Sequence, residues 1–243
     1  MQLEVYQTDA EAYEAAAALA AEWLVEAARQ GRAALGLPGG RGGRALMLAL
    51  AGRGEIPWSR VDVFFTDECC LPEGDARRTV SVARESLLGP RGVPADRVHA
   101  IGGEDAASGA AAYGALLERA LGVPPVLDVV LLALGDAGEV AAVMPGSAAA
   151  GSRESVAAVD AAEVPTEPRV ARVTLTTATL RAARHVIVTA TGATRAGALA
   201  AAFREPVDPL RRPVQAVLPS ATASWFVDRA AAEALLRDAR MAG

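Results

Sequence analysis

The chain has 243 residues, 52% of them hydrophobic and 22% charged, which suits one large α/β domain or two small ones and is too apolar for a disordered segment. Its formal net charge is −5 and it carries no long basic run, which argues against non-specific nucleic-acid binding. Every basic side chain apart from the histidines is an arginine, so Schiff-base chemistry through a lysine amine is excluded. Aromatic residues are only 4%, so the core has to be built from Ala, Val and Leu. The two cysteines, Cys69 and Cys70, are adjacent and offer neither a disulfide framework nor metal-ligand spacing. A reducing compartment fits them. Glu4, Asp9, Glu11 and Glu14 come too early for a signal peptide, and no apolar run approaches the ~18 residues of a membrane span. A cytoplasmic protein without membrane partners is expected.

In chain order, the pattern predicts a strand at 3–6 and a helix capped by Thr8 or Asp9 that runs to Gln30, with Gly31 as its stop. A second strand at 33–37 leads through Pro38-Gly39-Gly40-Arg41-Gly42-Gly43 into a helix over 44–51. A third strand, 61–66, ends at Asp67-Glu68, and a helix over 79–88 follows. A short strand at 98–101 and a helix at 105–121 precede the most apolar strand, 128–134. Further strands are predicted at 155–159, 171–175, 186–190 and 214–218. Helical segments are predicted at 176–183, where Thr176 can act as the cap, and at 193–203 and 228–241. Stretches 89–94, 145–151 and 205–213 read as loops. Strands alternating with helices imply an α/β fold: an open, mostly parallel, Rossmann-like sheet with helices on both faces, in a single domain over 1–243.

Four strand-ending turns carry chemistry. The apolar run 126–134 empties into Gly135-Asp136-Ala137-Gly138-Glu139, and in open α/β sheets the turn after a strand's carboxyl end is where ligands bind. The glycine-rich turn 38–44 can bring backbone N–H groups and a helix N-terminus to an anion, or can be a flexible turn; its spacing matches neither a P-loop nor a dinucleotide fingerprint. Asp67 and Glu68 are paired carboxylates that can move protons or orient hydroxyls, or else cap and salt-bridge. Arg195, near a helix start, opposes the helix dipole, which suggests an anionic ligand or a solvated surface position. Of the two histidines, His185 precedes a buried strand and reads as structural; His99 suggests little.

Taken in order, these pieces resemble the 6-phosphogluconolactonase family, within the wider group that includes glucosamine-6-phosphate deaminase. The resemblance runs over nearly the whole chain. Leu37-Pro38-Gly39-Gly40-Arg41-Gly42-Gly43-Arg44-Ala45-Leu46 is similar to the family's phosphate loop, and Phe64-Phe65-Thr66-Asp67-Glu68-Cys69-Cys70-Leu71-Pro72 to its Asp-Glu-Arg-x-Val-Pro segment. Ala83-Arg84-Glu85-Ser86-Leu87-Leu88 looks like the helix after it. Arg172-Val173-Thr174-Leu175-Thr176, Ala182-Ala183-Arg184-His185-Val186 and Thr191-Gly192-Ala193-Thr194-Arg195-Ala196 resemble its C-terminal run, and Ser224-Trp225-Phe226-Val227-Asp228-Arg229-Ala230-Ala231 its terminal signature.

The resemblance implies hydrolysis of a phosphorylated sugar lactone, 6-phospho-D-glucono-1,5-lactone, with no metal and no cofactor, by a monomer or small homo-oligomer. In the family a histidine in the Gly-x-Gly-x-Asp-Gly-His loop activates water. That position is Glu139 here, and the aspartate before its glycine is Ala137, while Asp136 and Gly138 remain. The loop serine becomes Pro38, the Thr-Pro becomes Gly42-Gly43, the arginine after Asp67-Glu68 becomes Cys69, the Ser-Asn becomes Arg78-Thr79, and the lysine becomes Arg195. A glutamate base starts from a reference pKa of about 4.3 against about 6.5 for histidine, and needs apolar surroundings to gain basicity. The implied catalytic set is Glu139, Asp67 and Asp136. Gly39, Gly40, Arg41, Gly42, Arg44, Glu68, Arg78, Gly138 and Arg195 are the implied phosphate and substrate ligands, with Arg41 or Arg78 standing in for the missing phosphate cation. Two alternatives stay open: a catalytically inactive homologue that binds a sugar phosphate or a partner, and an aminosugar-phosphate isomerase or deaminase. The C-terminal run favours lactonase ancestry over the latter.

Overall fold

Strand β1 (Gln2–Tyr6) passes into helix α1 (Asp9–Arg29) through a capping box, in which the Thr8 hydroxyl accepts from Glu11 N–H and the Glu11 carboxylate accepts from Thr8 N–H. The computed structural model describes residues 2–218 and 223–241. Its strands are β1, β2 (Ala33–Leu37), β3 (Val61–Phe65), β4 (Asp67–Cys69), β5 (Val98–His99), β6 (Val129–Ala133), β7 (Val156–Val159), β8 (Arg172–Leu175), β9 (His185–Ala190) and β10 (Ala223–Asp228). After α1 come α2 (Gly40–Ala51), α3 (Thr79–Ala83), α4 (Ala106–Leu121), α5 (Ala148–Gly151), α6 (Thr177–Ala182), α7 (Ala196–Arg204) and α8 (Arg229–Met241).

Seven strands form one sheet in the order β1-β10-β9-β6-β2-β3-β5, and every pairing in it is parallel. All residues of β2 and β10 are buried, so both faces of the sheet are covered, as continuous apolar strands require. The small face of α1, with Ala12, Ala16, Ala17, Ala20 and Ala21 fully buried, lets the helix approach the sheet closely. The buried apolar side chains make one continuous cluster. No helix among the described residues is long and apolar enough to cross a membrane.

From β2 the chain builds outward through β3 and β5, then returns to place β6 on the other side of β2 and continues through β9 to β10. The strand order therefore reverses between β2 and β6, and a crevice opens outside their carboxyl ends.

One expectation needs correction, and two gain detail. The mostly parallel sheet is accompanied by a second, antiparallel sheet, β4-β8-β7. The chain leaves β3 at Thr66, whose N–H donates to Leu37 O while its own carbonyl accepts from Leu175 N–H, so β4 departs from the parallel sheet to pair with β8. The strand predicted at 214–218 is instead a 3-10 turn, Pro213–Ala216. Proline opens the turn, Val214 and Val217 are buried, and the fully buried Gln215 amide donates to the Ala202 and Glu205 carbonyls. A short, mostly apolar stretch such as 214–218 does not by itself distinguish a strand from a buried helical turn. The last strand is β10, within the stretch read only as a terminal motif. The helix predicted over 79–88 is present, as α3 continued by a π-helical turn, Arg84–Leu88, closed by Gly89 N–H to Arg84 O.

Candidate active site

Loops from the carboxyl ends of β2, β3, β6 and β9 enclose a cavity of about 550 Å³. Gly39, Gly40, Arg41, Gly42 and Arg44 from the first, Asp67 from the second, Asp136 and Glu139 from the third and Arg195 from the fourth all line it. Of the residues the sequence singled out, Glu68, Arg78 and Gly138 do not.

The β6 loop is a tight turn. Gly138, at φ +90°, donates to Gly135 O, and Gly135 N–H donates to Glu139 O. The Glu139 side chain folds back so that Oε2 accepts from Ala137 N–H at 2.9 Å. A Cβ on Gly135 would lie 1.9 Å from the Glu139 carboxyl carbon, so any larger residue there would displace this carboxylate. Glu139 is 8% exposed, and Val140, Ala142 and Val143 beyond it are fully buried. Ala142 N–H donates to Thr174 Oγ1, which ties the loop to the second sheet. Ala141, which also lines the cavity, holds a left-handed backbone at φ +52°.

Asp67 acts as a clamp. Its Oδ1 accepts from Gly39 N–H (3.1 Å) and from the Thr66 hydroxyl (3.2 Å), fixing the start of the glycine-rich loop. Its Oδ2 lies 3.6 Å from the Arg172 guanidinium. Register explains that pair: Asp67 faces Thr174 across β4 and β8, so Arg172 is its diagonal neighbour. Arg172 also donates to Pro168 O at 3.4 Å, while its buried Nε has no hydrogen-bond partner among the described residues.

Helix α2 begins inside the cavity wall with Gly39 as its cap. A Cβ on Gly43 would sit 2.1 Å from Pro38 O, so the helix can turn this sharply away from β2 only with glycine there. Arg41 has no hydrogen-bond or ion-pair partner among the described residues, whereas Arg44 lies 3.6 Å from Glu85 at the surface. Arg195 is held by Asp136, Nε to Oδ1 at 3.0 Å, and donates to the Thr194 hydroxyl at 3.0 Å. That hydroxyl in turn donates to Asp136.

Glu68 is directed away from the cavity. Its carboxylate accepts from the N–H groups of Cys69, Thr79 and Val80 at 2.9, 2.6 and 3.0 Å, capping α3, and lies 3.7 Å from Arg78 Nε. Burial raises its pKa, opposed by these hydrogen bonds and by Arg78. Arg78 donates to Ile101 O and faces a separate hollow on the far side of α3. Gly138 stays in the turn itself, its carbonyl accepting from Val214 N–H. Expectations for these three as substrate ligands are therefore corrected: each is occupied in building the frame.

Neither histidine lines the cavity. His185 stacks on Trp23 at 4.2 Å, and burial lowers its pKa; His99 stacks on Phe64 and bonds to Asp62. Cys69 does line it, and burial pushes its thiol up to about 11. Reading the sequence for site residues misses Arg77, Thr79 and Arg172 in the wall. Arg172 had a legible signal: in an alternating Arg-Val-Thr-Leu strand it shares a face with Thr174, opposite Val173 and Leu175. In all, five arginines and four carboxylates line the cavity, a net positive hollow at a topological switch point, suited to an anionic, hydroxyl-rich ligand.

The family described as glucosamine-6-phosphate isomerases/6-phosphogluconolactonase matches residues 7–226. The 6-phosphogluconolactonase of Streptomyces coelicolor is 36% identical, covering 97% of this chain and 95% of its own length. That of Mycobacterium tuberculosis is 35% identical, covering 86% and 87%. The solved structure of 6-phosphogluconolactonase from Trypanosoma brucei superposes with a TM-score of 0.80 at 28% identity, covering 96% of this chain and 98% of that one. With its fold, its strand-end cavity and its relatives in agreement, the chain belongs to the glucosamine-6-phosphate isomerase/6-phosphogluconolactonase family.

Proposed function

We propose that this chain hydrolyses 6-phospho-D-glucono-1,5-lactone to 6-phosphogluconate, with Glu139 as the general base. The observation that carries the reading is the meeting of Glu139 with Arg41, Arg172 and Arg195 in one cavity, in a chain whose relatives over nearly its full length are 6-phosphogluconolactonases. The phosphate sits at the start of α2, where the helix N-terminus, Arg41 and Arg195 offer positive charge. Binding energy from that remote group fixes the lactone ring over Glu139. Glu139 takes a proton from water as the water oxygen bonds to the lactone carbonyl carbon. The carbonyl oxygen becomes an oxyanion, which the surplus of fixed guanidinium charge stabilises. Collapse breaks the ring C–O bond, and the proton passes to the leaving alkoxide. With no lysine in the chain, a Schiff-base route is excluded, and the relatives that match nearly the full chain are lactonases, which favours ester hydrolysis. On the same reading the protein works in the cytoplasm as a monomer or small homo-oligomer, with no nucleic-acid or membrane partner.

The test is to mix the purified protein with freshly prepared lactone and follow acid release over the spontaneous background. Saturable acceleration, reduced about 10²- to 10⁴-fold by Glu139→Gln, is expected for loss of a general base. Saturable binding of 6-phosphogluconate with no acceleration would replace the enzyme with a phosphosugar-binding protein, and an unaltered rate in Glu139→Gln would remove the base assignment.

A further inference from the structure

A second cavity of about 320 Å³ adjoins the first, and both are within the roughly 300–1,000 Å³ of small-molecule sites. Arg41 and Arg195 line both, together with Gly42, Ala133 and Leu134 at the end of β6. The two guanidinium groups thus stand at a partition with space on either side. Arg195 has Nε and one amino group occupied by Asp136 and Thr194, and Arg41 is unpartnered among the described residues.

The chemistry changes across that partition. Beyond it the ionisable groups lining the second cavity are Asp9, Asp228 and Tyr13. Burial raises the Tyr13 pKa, so it stays a neutral phenol, and its hydroxyl shares a 2.7 Å hydrogen bond with Thr191 Oγ1. Both Asp228 oxygens are engaged by Gly192 N–H, and one also by Ala231 N–H. Apart from Arg41 and Arg195, which the first phosphate engages, the charges here are two carboxylates, which would repel a second phosphate. The Tyr13 and Thr191 hydroxyls and Asp9 suit the hydroxyls of an uncharged alcohol.

Building on the reading that Arg41 and Arg195 hold the phosphate, we propose that the site admits sugar phosphodiesters. The sugar acid or lactone lies on the Glu139 side, the phosphate at the arginine partition, and a neutral polyhydroxy alcohol esterified to that phosphate in the second cavity. A phosphate held there has open volume behind it, so a second ester substituent meets no wall. Its remaining negative charge still faces both arginines.

Calorimetry with 6-phosphogluconate and with its glyceryl phosphodiester tests this on the wild-type chain and on Ala45→Phe. Ala45 lines the second cavity alone, and a phenyl ring there would fill it. The diester is expected to bind wild type within about tenfold of the monoester, and Ala45→Phe to weaken the diester about tenfold or more while moving the monoester less than about twofold. Monoester binding with the diester about a hundredfold weaker on wild type would overturn this inference alone. Equal weakening of both ligands by Ala45→Phe would also overturn it. Failure of the monoester itself to bind wild type would overturn the phosphate assignment on which it rests.

Discussion

Glu139 and Asp136 lie three residues apart in one loop and are set up for different work. Glu139 is buried, backed by Gly135 and oriented by a single backbone N–H. Asp136 has a side chain 57% exposed, and its Oδ1 is occupied by Arg195 and Thr194. That geometry points to Asp136 as a positioning residue for Arg195, where the family resemblance implied a member of the catalytic set. An exposed ion pair contributes about 0–1 kcal/mol, so Asp136→Asn should barely alter stability. Its expected signature is KM for the lactone raised about 3- to 10-fold with kcat within about twofold, since the lost contact aims a binding group present in ground and transition states alike. A collapse of kcat at constant KM would return Asp136 to proton transfer.

At the scale of elements, the second sheet is what gives the site its floor. By leaving β3 at Thr66, the chain sets Asp67 and Glu68 on opposite faces of β4, one toward the cavity and one toward α3. The sequence showed two adjacent carboxylates and left both roles open, proton transfer or capping; the alternation of a strand separates them. Glu68 then serves three otherwise unpaired backbone N–H groups and Arg78 in a buried setting. Removing one member of such a buried pair costs about 3–5 kcal/mol, so Glu68→Ala should lower the urea midpoint by a corresponding amount. A loss below about 0.5 kcal/mol, the level of a surface change, would show that the cap contributes nothing. Strands β2, β6 and β9 were legible because each is a largely apolar run followed within two residues by glycine. The 3-10 turn at Pro213–Ala216 was not, although the three-residue spacing of the buried Val214 and Val217 was its helical signature. Arg172 escaped notice as a site residue because its partner Asp67 is more than a hundred positions away, and only the antiparallel pairing of β4 with β8 joins them.

For the molecule as a whole, the reversal of strand order between β2 and β6 is the device that gathers function. Loops remote in sequence, at 38–44, 67, 135–139 and 192–195, leave the same edge of the sheet and share one hollow. Alternating strands and helices announced the parallel sheet, and glycine-rich turns marked the edge where ligands bind. Which cations remain open to an anion depended on ion pairing that only the folded chain reveals: Arg78 is spent on the frame, while Arg41 is not. The account therefore stands on Arg41 and Arg195, from opposite halves of the sheet, holding one phosphate. Its most direct test is a double-mutant cycle, Arg41→Ala with Arg195→Ala, read as Kd for 6-phosphogluconate. Each single change should weaken binding about tenfold or more, with a coupling of about 0.5–3 kcal/mol between the two positions. An affinity untouched by either change would mean that the two arginines do not hold one phosphate between them.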